Sequence, residues 1–110
     1  MLIKTSFDPA KLQASHGGTI LAHGGLPTHP ALPFGSAFGV IRKGMAQERM
    51  VQGEGGKIYV PIGGSALIIA DGESYTAQPG DVIFFPPGTD HEVRHTGEED
   101  FRNFCLWWTR

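Results

Sequence analysis

Sixteen glycines and eight prolines are scattered through the 110 residues, and this spacing is what most constrains the fold. Glycine weakens a helix and proline breaks it. Long helices are therefore excluded almost everywhere. The apolar runs left between these breakers are short and rich in Val, Ile, Phe, Tyr and Trp, the residues that favour a half-buried pleated surface. Strands are expected over residues 19–23, 36–42, 47–52, 57–62, 65–70, 73–77, 82–85, 91–96 and 100–108. About nine strands in one small domain suit a sandwich or barrel. Asp71-Gly72 between two apolar runs is a strong hairpin signal, because both residues tolerate positive φ. Pro79-Gly80 marks a second turn. Residues 98–110 form the longest stretch free of Gly and Pro, and Phe101, Phe104, Trp107 and Trp108 could mark a helical face there. The aromatic content and the lack of a cap favour a strand instead.

The chain length fits one domain. Residues 1–35 read as a leader with one or two short strands, cut up by Gly17-Gly18, Gly24-Gly25, Pro27, Pro30 and Pro33, and residues 36–110 read as the main body. Nine basic against eleven acidic residues give a net charge of -2, which offers no basic face for nucleic acid. A hydrophobic fraction of 40% belongs to a packed globule rather than a disordered chain. The single cysteine, Cys105, cannot close an internal disulfide, and Phe104, Leu106 and Trp107 around it point to a buried thiol in a reducing compartment. The opening residues lack the charged start and apolar core of a signal peptide, and no apolar run is long enough to span a membrane. The expectation is a cytoplasmic protein without a membrane partner.

The chemistry concentrates in Gly80-Asp81-Val82-Ile83-Phe84-Phe85-Pro86-Pro87-Gly88-Thr89-Asp90-His91. Gly80 lets the chain reverse, residues 82–85 are apolar, Pro86 ends the ladder, and Gly88 permits a tight corner that aims His91 inward. The segment resembles the second signature of the cupin superfamily, G-x5-P-x-G-x2-H-x3-N, through Gly80, Pro86, Gly88 and His91, with His95 in the place of the final Asn. The resemblance implies an all-β double-stranded β-helix, or jelly-roll barrel. The first cupin signature, G-x5-H-x-H-x3-4-E-x6-G, supplies two His and one Glu to a metal. Counted from Gly44, its histidine slots fall here on Met50 and Gln52, and its glutamate slot on Gly56 or, with the longer spacer, Lys57. The resemblance thus implies the fold more firmly than metal chemistry.

Strand alternation suggests a substitute site. If His91 points inward, Val93 and His95 follow it, and if Gln52 points inward, Glu54 does too. His91, His95, Gln52 and Glu54 are the candidate ligands for a divalent zinc, iron, manganese or nickel ion. Met50, Gln52, His91, Val93 and His95 are the expected pocket lining. His16, His23 and His29 in the leader carry no ligand periodicity, although one of them could close over the barrel mouth. The resulting expectation is a barrel that binds a small molecule in its interior. The alternative is a metal-dependent enzyme of the kinds the resemblance permits: dioxygenase, isomerase, decarboxylase or lyase. A homodimer is expected as well, because Phe7, Phe101, Phe104, Trp107 and Trp108 exceed what one face of so small a barrel needs.

Overall fold

The computed structural model describes residues 1–109. Among them are ten strands, two short 3-10 turns (Pro9–Lys11 and His16–Gly18) and no α-helix. The strands are β1 (Gln13–Ser15), β2 (Ile20–Gly24), β3 (Gly35–Ile41), β4 (Ala46–Val51), β5 (Lys57–Gly63), β6 (Ser65–Ala70), β7 (Glu73–Ala77), β8 (Ile83–Phe85), β9 (Asp90–Thr96) and β10 (Phe101–Trp107). They form a six-stranded sheet in the order β1-β2-β3-β10-β5-β8 and a four-stranded sheet in the order β4-β9-β6-β7, with every pairing antiparallel. This is the all-β jelly-roll arrangement. The aromatic C-terminal stretch is a strand held between β3 and β5, with each edge of its backbone paired. The leader strands β1 and β2 extend the six-stranded sheet from β3.

Two turns show how the sequence places these strands. Asp71 and Gly72 both take positive φ (50° and 82°), which gives the hairpin twist that lets Ala70 pair with Glu73 across β6 and β7. At Pro86-Pro87-Gly88-Thr89 the Thr89 amide donates to the Pro86 carbonyl at 3.2 Å, and Gly88 has φ of 81°. The chain thus turns sharply out of β8 and into β9 just before His91.

Parity does the rest. Residues opposite one another in an antiparallel pair share a face, so Lys57, Tyr59, Asn103, Cys105, Ala37 and Gly39 lie on the inner side of the six-stranded sheet. Ile41, Tyr59, Ala66, Ile68, Ala77, Phe85, Val93 and Phe101 close the core between the two sheets. The large residues near the termini divide among three places. Phe101 is in the core. Phe104 packs on Phe38 on the outer face (5.0 Å between ring centroids), where the chain's own Phe7 and His23 cover Phe38 at 5.8 and 4.9 Å. Trp108 stacks on Phe84, 6.0 Å away and 8° from parallel.

Candidate functional site

Between the sheets lies a cavity of about 470 Å³. Its walls come from β3 (Ala37, Gly39, Ile41), β4 (Gln47, Met50), β5 (Lys57, Tyr59) and β10 (Phe101, Asn103, Cys105, Trp107), with Ser15, His16, Gln52 and Glu54 near the chain turns that frame it. The lining is largely apolar, so its few polar groups carry the chemistry.

The central pair is Lys57 and His91, both buried, with Lys57 Nζ 2.9 Å from His91 Nε2. His91 Nδ1 lies 3.1 Å from the Thr89 carbonyl oxygen. A carbonyl only accepts, so Nδ1 carries the proton and Nε2 offers the lone pair to the Lys57 N–H. Burial lowers the pKa of Lys57, and burial together with the Lys57 charge lowers that of His91. The Lys57 nitrogen also stands 4.9 Å from the centroids of both the Tyr59 and Phe85 rings, whose faces attract a cation. Three surface cations meet carboxylates, in the pairs Lys43–Glu98, Arg49–Asp90 and Arg94–Glu92; no described carboxylate forms such a pair with Lys57.

A second polar group sits on the β4 side. The register of β4 against β9 slips between Gln47 and Met50, so that residues three apart on β4 face Val93 and His91, two apart on β9. Such a bulge re-aims side chains, and here both Gln47 and Met50 reach the cavity wall. Tyr59 Oη donates to Gln47 Oε1 at 3.0 Å, and Gln47 Nε2 lies 2.9 Å from Met50 Sδ. Burial raises the pKa of the Tyr59 phenol and pushes the Cys105 thiol up to about 11, so both are held protonated.

The structure does not gather the four candidate metal ligands. His91 and His95 do share a face of β9, but four residues of extended chain separate them by roughly 13 Å. His95 is held at the far end: its Nε2–H donates to the Glu99 carbonyl at 2.6 Å, and its Nδ1 accepts from the Gly44 amide at 3.1 Å. Gln52 and Glu54 lie past the end of β4, both lining the cavity. Of the expected pocket residues, Met50 and Gln52 line the cavity, Val93 is sealed in the core, and His91 stands behind Lys57. Among the described residues, no three His, Cys, Asp or Glu side chains lie together so as to hold a metal ion. Of the leader histidines, His16 lines the cavity with φ of 51°, His23 is fixed on the outer face between the Asp8 amide and the Gly24 carbonyl, and His29 accepts from the Ala31 amide in an exposed loop.

Sequence reading undervalued Lys57, which it met only as an occupant of the glutamate slot. The signal was the alternation Lys57-x-Tyr59-x-Pro61, which puts a lysine in phase with buried residues. Asn103 was missed for the same reason. Its Oδ1 is buried and has no hydrogen-bond partner, a state that costs stability. Asn103→Leu is expected to raise the unfolding free energy by about 1 kcal/mol, read as a higher urea midpoint at unchanged slope.

Fold and cavity define a small jelly-roll barrel of the double-stranded β-helix class. The family profile described as the cupin domain matches residues 40–107, and the chain belongs to that family. It is 24% identical to an uncharacterized protein of Methanocaldococcus jannaschii over 94% of this chain and 84% of the relative. Among solved structures it is similar to a Cupin 2 conserved barrel domain protein from Salinispora arenicola, with 26% identity and a TM-score of 0.80. It is similar to the same extent to the plu4264 protein of Photorhabdus luminescens, with 25% identity and a TM-score of 0.80. Each alignment covers 98% of this chain and 88% of the neighbour.

The family's metal set does not fit this interior. The places of two imidazoles and a carboxylate hold the Met50 thioether, the Gln52 amide and, at the longer spacing, the Lys57 amine. The lone pair that His91 would give a metal already accepts the Lys57 N–H. A thioether, an amide and an ammonium are a poor donor set for a divalent first-row ion.

Proposed function

We propose that this protein is a small-molecule-binding barrel whose ligand occupies the interior cavity. The cavity itself carries this reading: about 470 Å³ of space with mostly apolar walls and a few inward polar groups, Lys57, Gln47 and Asn103. Sites of that size and character bury most of the surface of a small ligand while a few polar groups orient it. The alternative of a metal-dependent enzyme finds less support, because the donors at the family's ligand positions are the wrong ones. A homodimer belongs to the same proposal, supported by the exposed apolar side chains of Val51, Val82 and Phe84. No helix among the described residues is long and apolar enough to cross a membrane.

Gly39 provides the test. It lies in β3 without positive φ, and a Cβ built there meets nothing within 4 Å. Gly39→Leu therefore fills the cavity from a strand that accepts a side chain. Calorimetric binding of 2-naphthylmethanol is expected to weaken at least tenfold in this variant, with the circular dichroism spectrum and urea midpoint retained. Equal binding by the variant and the parent would place the ligand elsewhere and defeat the proposal.

A further inference from the structure

At the cavity's polar end stands a cation, Lys57, that no described carboxylate meets within ion-pair distance. Lys57 is 8% exposed, and its nitrogen is surrounded by a neutral imidazole acceptor and two aromatic rings. The rings stabilise the ionised amine and His91 Nε2 accepts one of its protons, leaving other N–H groups to be satisfied. A buried ammonium is costly unless an anion meets it. No described carboxylate lies within ion-pair distance of Lys57, and Lys57 forms part of the cavity wall, so the counter-charge can come from what enters the cavity.

Resting on the reading of the cavity as a ligand site, we propose that its ligands are organic acids, with a carboxylate seated on Lys57 and an apolar body against the β3 and β10 walls. One lysine matches one negative charge. A phosphate monoester carries nearly two charges and three acceptor oxygens, and it would be left undersatisfied among Ala37, Ile41, Phe101 and Trp107. The unpartnered Asn103 Oδ1 is a second demand that the protein leaves unmet. Asn103 lies opposite Pro61 and Trp107 opposite Lys57, so the two polar positions are four residues apart along the strands, roughly 13 Å. A ligand with a carboxylate at one end and a hydrogen-bond donor toward the other answers both.

The experiment compares 2-naphthoate with 2-naphthylmethanol, the same apolar body with and without the charge, by calorimetry at pH 7 on the full chain. A charge-assisted hydrogen bond at a desolvated lysine should make the acid bind at least tenfold more tightly than the alcohol. In Lys57→Met the acid should lose at least tenfold while the alcohol binds as before or better. Lys57→Gln, which removes the charge but keeps an N–H donor for His91, should behave likewise and serves if the Met variant fails to fold. Equal affinity of the parent for acid and alcohol, or undiminished binding of the acid by a folded Lys57 variant, overturns the proposal. If both probes bind and Gly39→Leu loses both, the cavity reading survives without the acid preference. If neither binds, both readings fall.

Discussion

Phe85→Ala is expected to lower the unfolding free energy by about 3–5 kcal/mol, the usual cost of removing a core phenylalanine and leaving a void. Phe85 is 2% exposed and stands where β8 meets the interior, 4.8 Å from the Tyr59 ring and 4.6 Å from the His91 ring by centroids. Among the described residues the short strand that holds it pairs with β5 alone, so few other contacts can take over its packing. For a domain of this size the loss is a large share of total stability. Urea unfolding should show a sharply lowered midpoint. Phe85→Leu, which keeps most of the volume, should cost clearly less. A drop below about 1 kcal/mol in the Ala variant would mean that the ring does not brace this end of the barrel.

The same residues show why the fold was legible and the site less so. Residues 73–77 and 65–70 could be read as strands to the residue, because Asp71-Gly72 fixes the hairpin and alternation fixes the faces. β1 was allowed for only as a second leader strand without bounds: Gln13-Ala14-Ser15 has no apolar alternation to place it and pairs only along the edge of β2. Alternation says which face a side chain takes but not how far along the barrel it lies. His91 and His95 take one face of β9, but stand roughly 13 Å apart along it, a separation that alternation alone does not reveal. The β4 bulge that turns Gln47 inward has no local signature in Gln47-Glu48-Arg49-Met50, because it is imposed by the register of β9. Lys57 failed to register because a lysine at the start of a strand ordinarily reaches water. Only the closure of β8 and β9 over it creates the apolar surroundings of its amine.

The paired burial of Lys57 and His91 should make stability depend on pH. Both are bases whose folded-state pKa lies below the ordinary value, through burial for Lys57 and through burial plus the lysine charge for His91. An unfolded chain thus binds more protons than the folded one between each group's folded and unfolded pKa, so stability rises with pH across those windows. For His91 the window lies below the ordinary imidazole value of about 6.5, and its contribution is lost as pH falls through the folded pKa. For Lys57 the window lies below about 10.4. Asp90 also loses a stabilising shift on acidification, through its hydrogen bond to Arg49, but it does so below about pH 4 and at an exposed site. Urea midpoints measured from pH 4.5 to 8 are expected to climb for the parent; the range stops below the pH of about 8.5 at which the Cys105 thiol would ionise in the unfolded chain and oppose the climb. His91→Gln, which keeps an acceptor for the lysine, should flatten the climb below pH 6.5, and Lys57→Met should flatten it on the alkaline side. A parent whose midpoint is level from pH 5 to 8, or falls with rising pH, would show that these two groups are solvated in the folded protein rather than held in its interior.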